Sequence, residues 1–330
     1  MKFLIIRFSS IGDIVLTTPV IRCLKKQVKD AEVHYLTKDS FSSVVRHNPY
    51  IDKLLLLAHS WELMIEELKA EQYDFIIDLH HNTKTLRVKN ALKVKAFSFY
   101  KLNIPKYIYT ALKINLLPNI HIVDRYLDTV KTFGVTNDGD GMDYFIAKDE
   151  EIKRNDIPAS HWAGYIGAVI GAAHGTKRWP VHKWKEFCSQ LDHPVILLGG
   201  KEDFNNGEEI AKTDPIKIYN ACGKFKLNES ADIVKHAKLI ITNDTGLMHI
   251  AAAFKRPVIS LWGNTVPSFG MYPYYGTRFQ GSQAFDILQV NKLWCRPCSK
   301  IGYEKCPLGH FKCMEKIEVD AVLGKVKQRI

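Results

Sequence analysis

Residues 3–6, Phe-Leu-Ile-Ile, form an unbroken apolar run that stops at Arg7 and gives way to Phe-Ser-Ser-Ile-Gly-Asp. A short apolar run of this kind predicts a strand covered on both faces. From residue 14 to 26 the apolar residues recur at helical spacing. A strand, a tight turn ending in Gly12 and a helix in immediate succession predict an α/β chain with a parallel sheet. Asp13 stands where the helix opens. It can serve there as a cap or a complement to the helix dipole. At the carboxyl end of a strand it can equally face a ligand.

The same alternation continues. Strands are predicted at 32–36, 53–57, 74–79 and 94–99, with a helix at 61–70 and an amphipathic helix at 121–133 stopped by Gly134. The pattern then dissolves into a polar turn, a short strand at 142–146 and a charged linker. A second α/β pattern follows, with strands at 165–170, 194–198, 216–219, 239–242 and 257–262. Helices are predicted from Trp179-Pro180 onward and at 230–236, 247–254 and 314–326. At 330 residues the chain exceeds what one core usually serves. The expectation is two doubly wound, Rossmann-like domains, 1–155 and 156–330, facing each other across a cleft, with the last helix free to pack back on the first.

No apolar run reaches the roughly 18–20 residues of a spanning helix. The N-terminal run is too short for a signal peptide, so the expected location is the cytoplasm, where thiols stay reduced. Net charge is +11, and residues 79–123 contain no Asp or Glu. That window holds Lys84, Arg87, Lys89, Lys93, Lys95, Lys101, Lys106 and Lys113, interleaved with Phe97, Phe99, Tyr100, Tyr107 and Tyr109. Such a face suits an anionic membrane surface or an anionic substrate, or is simply solvated. No helix-turn-helix, RNA-binding or zinc-finger pattern accompanies it, so nucleic acid ranks last.

Three constellations could carry chemistry. Gly171-Ala172-Ala173-His174-Gly175-Thr176-Lys177 is a small-residue loop after a strand, where backbone amides and a mobile ammonium can meet an anion. It lacks the Gly-Lys-Ser/Thr order of a Walker loop. Asn243-Asp244-Thr245-Gly246-Leu247-Met248-His249 places Asp244 as a helix N-cap, with the amides of Thr245 and Gly246 open to a phosphate. Asp78, His80 and Asn82 share the strand edge with Asp13, and His80 could be a base, a ligand or a structural hydrogen-bond partner. Last, Cys295, Cys298, Cys306 and Cys313 fall within 19 residues. In a reducing compartment they read as a structural zinc site, free thiols or labile disulfides. Cys23, Cys188 and Cys222 read as core.

Taken together, Ser-Ser-Ile-Gly-Asp-Ile-Val-Leu-Thr-Thr-Pro at 9–19, Thr-Lys-Arg-Trp-Pro at 176–180, Leu-Leu-Gly-Gly at 197–200 and Asn-Asp-Thr-Gly-Leu-Met-His at 243–249 resemble glycosyltransferase family 9, the ADP-heptose:lipopolysaccharide heptosyltransferases. Asp-Leu-His at 78–80, His-Ile-Val-Asp-Arg-Tyr at 121–126 and the cysteine-rich tail are also similar to family features. The resemblance implies a GT-B fold with acceptor in the N-terminal domain and nucleotide sugar in the C-terminal one. It implies inverting transfer of heptose from ADP-heptose to the Kdo–lipid A or inner-core region of lipopolysaccharide, with no cofactor and no metal, at the cytoplasmic face of the inner membrane. Asp13 matches the general base. Lys177, Thr176, Glu202, Asp244, Thr245, Gly246 and His249 match donor contacts, with Asp203 competing for the place of Glu202. Ser10, Gly12, His80, Arg87 and Arg125 are the expected acceptor contacts. Gly171-Ala172-Ala173 departs from members that carry a threonine pair there. The readings competing with heptose transfer are another donor or acceptor, a nucleotide-sugar epimerase, or a non-catalytic sugar-nucleotide-binding subunit.

Overall fold

A computed structural model describes residues 1–57, 60–279 and 285–330. Contacts divide the chain into two compact units. The first comprises Met1–Lys101, Ile120–Phe145 and a short stretch beginning at Tyr275; the second comprises Leu102–Asn119, Ile146–Tyr274 and the chain to Ile330. The division after Phe145 lies ten residues before the expected boundary at 155, and the chain crosses it more than once. The acidic turn at 138–143 explains its own placement. Arg22, buried in the helix Thr18–Gln27, donates to both Asp138 oxygens at 2.7 Å, to Asp143 and to the Gly141 carbonyl at 2.8 Å.

The first unit is built on β1 (Lys2–Ile6), β2 (Glu32–Thr37), β3 (Lys53–Leu56), β4 (Phe75–Asp78) and β5 (Lys95–Ser98), all parallel, in the order β3-β2-β1-β4-β5. Apolar residues from β1 through β4 interlock with Met64, Ile65 and Leu68 of the helix Trp61–Ala70 and with Val88 of the helix Thr83–Leu92. The chain order reverses direction between β1 and β4, where Ile6 lies opposite Asp78. In an open parallel sheet, that switch point leaves a crevice at the strands' carboxyl ends.

The second unit repeats the plan with β6 (Ile166–Val169), β7 (Val195–Leu198), β8 (Ile218–Asn220), β9 (Leu239–Asn243), β10 (Val258–Trp262) and β11 (Phe285–Gln289), in the order β11-β10-β9-β6-β7-β8. Its switch point lies between β6 and β9. β9 and β10, Leu-Ile-Ile-Thr-Asn and Val-Ile-Ser-Leu-Trp, are buried throughout, as expected of strands covered on both faces.

Several elements differ from expectation. The helix expected at 14–26 forms as two, Ile11–Val15 and Thr18–Gln27, because Pro19 falls in the first turn of the second and supplies no N–H to continue the first. Residues 142–146 are not a strand; Asp143 is drawn instead to Arg22 and to the Thr18 hydroxyl. The last helix, Val319–Lys327, packs through Val319, Val322 and Val326 into the second unit's own core. The helix Asn103–Leu112 and the strand β11 were absent from the sequence-based pattern.

Candidate active site

In the first unit, Asp13 sits at the switch point, in the turn that leaves β1. Its carboxylate is a hub. Asp13 Oδ1 lies 2.7 Å from Arg7 Nη2, while Asp13 Oδ2 accepts from the Ser10 hydroxyl at 2.8 Å and the Ser10 amide at 3.3 Å. Ser10 is the N-cap of the helix Ile11–Val15 and Asp13 its third residue, so the carboxylate also closes a capping box. The Asp13 side chain keeps about a fifth of its surface open to solvent. Gly12 is buried beside it.

Arg7 is the residue that sequence reasoning passed over. Its guanidinium is buried and donates to the carbonyls of Ser9 at 2.7 Å and Leu79 at 2.6 Å and to the Tyr126 hydroxyl at 3.1 Å, besides facing Asp13. Burial alone would lower the Arg7 pKa, but the neighbouring charges, Asp13 foremost, raise it above its ordinary value. The guanidinium therefore stays charged. The signal was a single arginine ending an apolar strand; its partners, 72 and 119 positions away, leave no local trace.

His80, just past β4, packs against Phe8 with ring centroids 5.2 Å apart. Burial, reinforced by the charges of Arg7 and Lys101, pulls its pKa down to about 4, so the imidazole is neutral at pH 7. Its Nδ1 is buried without a hydrogen-bond partner among the described residues. Asp78 underpins this edge. Its buried carboxylate accepts from the amides of His80 and His81 and lies 2.8 Å from Lys89 Nζ. Asn82 accepts from Thr85 N at 3.0 Å and caps the helix Thr83–Leu92. On that helix the exposed Arg87 stacks 4.3 Å over the Trp61 ring. Arg125 is buried and donates to the Tyr100 carbonyl at 3.2 Å.

In the second unit the residues after β6 and β9 meet at the corresponding switch point. Lys177 Nζ lies 2.6 Å from Asp244 Oδ2, and the Thr265 hydroxyl donates to the same oxygen at 2.8 Å. Asp244 is therefore not the N-cap. Thr245 takes that position for the helix Gly246–Ala253, in extended conformation and with no capping hydrogen bond from its side chain. Gly246 is the first residue of the helix, and His249 is buried within its opening turn. The helix thus presents its positive end where the chain leaves β9.

Buried neighbours fix this loop. Asn243 accepts from Trp179 N at 3.1 Å and donates to the carbonyls of Val169 and Ile170, tying β9 to the loop after β6. The Thr176 hydroxyl accepts from Tyr303 N at 2.8 Å and faces Asn264 Oδ1 at 3.1 Å. Gly175 permits that approach, since a Cβ there would collide with the Glu304 carbonyl. After β7, Glu202 is exposed, whereas Asp203 is buried, accepts from Gly200 N at 2.9 Å and lies 3.3 Å from Arg178. Burial raises the Asp203 pKa against those two contacts. Of the two acids, Glu202 is the one open to a ligand.

The cysteines form a third cluster. All seven are free thiols. Cys295, Cys298, Cys306 and Cys313 line one cavity of about 40 Å³ together with His310. Burial pushes the Cys313 thiol up to about 12, with the nearby thiols adding to the rise.

The family model for glycosyltransferase family 9 (heptosyltransferase) matches residues 61–301. Lipopolysaccharide heptosyltransferase 1 of Campylobacter coli is 27% identical over 294 residues, covering 82% of this chain and 85% of that protein. Lipopolysaccharide heptosyltransferase 3 of Escherichia coli is 28% identical over 277 residues, covering 77% and 80%. Among solved structures, the family 9 glycosyl transferase of Veillonella parvula superposes with a TM-score of 0.78 at 21% identity, covering 99% of this chain and 96% of its own. Escherichia coli heptosyltransferase WaaC with ADP gives 0.72 at 19% identity, covering all of both chains.

Proposed function

The chain belongs to glycosyltransferase family 9 and is a glycosyltransferase of the GT-B fold, and we propose that it moves a heptose from ADP-heptose to the Kdo or inner-core region of lipopolysaccharide. The named activities of its relatives support the sugar and the acceptor class. Family membership supports a donor site in the second unit and an acceptor site in the first.

One observation carries the mechanism: the Asp13 carboxylate, anchored from behind by the buried Arg7 and still partly open to solvent. In an inverting transfer the acceptor oxygen forms its bond to the sugar's anomeric carbon while the bond from that carbon to the pyrophosphate oxygen breaks. The hydroxyl proton passes to Asp13, and the bonding electrons leave with ADP. As the new bond forms the hydroxyl becomes acidic, so a carboxylate held by a guanidinium suffices as base. The charge developing on ADP would be met by Lys177, which exchanges Asp244 for phosphate, and by the amides opening the helix Gly246–Ala253. Thr265, which donates to Asp244, would hold the aspartate during that exchange. Glu202 is suited to a nucleoside hydroxyl, and neutral His80 to positioning an acceptor hydroxyl. No metal is needed where a lysine and a helix terminus supply the positive charge.

The segment 102–119 supports contact with a membrane surface. The helix Asn103–Leu112 has no buried residue, and Ile104, Tyr107 and Leu112 are 70%, 65% and 65% exposed. Lys106 and Lys113 lie among them, in a stretch without acidic residues. An apolar face flanked by ammonium groups is what an interfacial helix presents to anionic headgroups.

The test is transfer itself. Wild-type protein incubated with ADP-heptose and Kdo–lipid A should give a product heavier by one heptose in mass spectrometry. Asp13→Ala should lower turnover by at least about a hundredfold with ADP affinity unchanged. Turnover retained in Asp13→Ala would remove the base assignment. Free sugar or an epimer released without lipid acceptor would replace the transfer reading.

A further inference from the structure

Two groups of side chains could attract a metal ion. Glu32, His34 and Glu71 bring ligand atoms within 4.8 Å of one another. Lys2 and Lys53, however, each place an ammonium 2.6 Å from a Glu71 oxygen, so protein cations already occupy the place of an ion. In the cysteine cluster the cation that lines the cavity, Arg296, is itself taken up by the carbonyls of Gly263, Val290 and Thr265. Four thiols and His310 converge on one cavity, and Cys295 Sγ lies 3.7 Å from His310 Nε2.

We propose that Cys295, Cys298, Cys306 and Cys313 hold a single tetrahedral, thiolate-bound metal ion, zinc or iron, that braces the loop behind the Thr176–Lys177 turn. Soft thiolates in a four-ligand set select these ions. The cavity, about 40 Å³, has room for a single ion. Binding forms four metal–sulfur bonds and releases the thiol protons to solvent. Arg296, which lines the same cavity, offsets the negative charge of a tetrathiolate centre.

The location gives the ion a purpose. Between Cys298 and Cys306, Ser299 Oγ lies 3.2 Å from Asn264 Nδ2, and Tyr303 exchanges hydrogen bonds with Thr176. Between Cys295 and Cys298, Arg296 donates to the carbonyls of Gly263 and Thr265, the latter at 2.7 Å. Thr265 in turn holds Asp244, the partner of Lys177. The metal loop thus grips both sides of the Lys177–Asp244 pair. This bracing role rests on the donor-site reading; the metal site itself does not.

The full chain, expressed in medium containing zinc and iron and purified under reducing conditions, should carry about one zinc or iron ion per molecule by elemental analysis. Which ion predominates identifies the occupant without altering the site. Cys298→Ser and Cys306→Ser should each fall below about a tenth of an ion, while Cys188→Ser, buried elsewhere, should keep it. Cobalt added to the stripped, reduced wild type should give a thiolate-to-metal charge-transfer band. Wild type below a tenth of an ion with no cobalt band would overturn the site, as would unchanged metal in both serine variants. Metal at unity whose removal leaves ADP affinity unchanged in a protein that binds ADP would overturn the bracing role alone. A protein that holds metal but never binds ADP would instead overturn the donor-site reading.

Discussion

Removing the Arg7 guanidinium tests whether it and Asp13 act as one unit. Arg7→Met keeps the length and apolar stem of the side chain but deletes the charge and its donors. The carbonyls of Ser9 and Leu79 and the Tyr126 hydroxyl lose their charged donor, and Asp13 loses its counter-ion. Hydrogen bonds to a charged group contribute about 1.5–3 kcal/mol each, and deleting one member of a buried pair costs about 3–5 kcal/mol. The Asp13 side chain is about one-fifth exposed, which places the expected loss near the lower figure, about 3 kcal/mol. Asp13→Asn should cost less, about 1–2 kcal/mol, because the amide keeps an oxygen that can accept from Arg7 or Ser10. With the charge gone from both positions, no uncompensated ion remains. The double variant should therefore lose at least about 1 kcal/mol less than the sum of the single losses.

Amide hydrogen exchange on peptides spanning β1 and β4 isolates the first unit, where a loss of about 3 kcal/mol speeds globally limited exchange roughly a hundredfold. Turnover should fall in Arg7→Met as well, since the proposed base would no longer be held in place. If the two single losses add within about 0.5 kcal/mol, Arg7 and Asp13 are independent and the anchored-base reasoning fails.

Lys177→Ala should weaken ADP-sugar binding about 10- to 100-fold, the worth of one charge-assisted contact to phosphate; an unchanged donor KM and kcat in steady-state kinetics would count against that contact. His80, neutral in the fold with a pKa near 4, refuses a proton that the unfolded chain accepts below about pH 6.5. Its contribution to stability is thus constant above that value and is lost as pH falls from about 6.5 to 4, amounting to about 2 kcal/mol at pH 5. Exchange protection in β1 and β4 should drop less between pH 7 and 5 in His80→Gln than in wild type, and parallel profiles would refute the assignment. Ile104→Glu with Leu112→Glu should reduce flotation with anionic vesicles at least about tenfold, and equal flotation would dismiss that helix as a membrane contact.

The sequence was legible wherever one residue type has one structural use. Apolar runs and alternations located ten of the eleven strands among the described residues, and the small-residue turns after β1, β6 and β9 marked both switch points. β11 escaped because Phe-Asp-Ile-Leu-Gln is only partly buried at the sheet's edge and carries a charge at its second residue. The helix Asn103–Leu112 escaped because it buries nothing, so its spacing was read as a basic stretch. At the site, carboxylates, a lysine and glycines stood out, whereas their supports did not. Arg7, Asn243, Thr265 and Tyr303 act through partners far away in the chain. Asp244 was mistaken for a cap because cap preference is a local rule, and Lys177, 67 residues distant, outcompetes it.

The two switch points use the same pair of opposite charges for different ends. Arg7 is locked by three neutral acceptors besides Asp13, and withdrawing it would strand all of them. That cation cannot leave, so its carboxylate partner stays fixed, as the proposed proton transfer requires. Among the described residues Lys177 makes a single ionic contact, on a flexible stem, to an aspartate that Thr265 also holds. An ammonium with one partner exchanges it for a phosphate at little cost, since one ionic contact replaces another. On the proposed mechanism, the choice of arginine in one turn and lysine in the other would separate a fixed base from an adaptable donor clamp. Lys177→Arg should consequently impair transfer more than its conserved charge suggests: a guanidinium forking onto Asp244 would hold the carboxylate bidentately and release it less readily. A Lys177→Arg enzyme with wild-type donor KM and kcat would show that charge alone is required there.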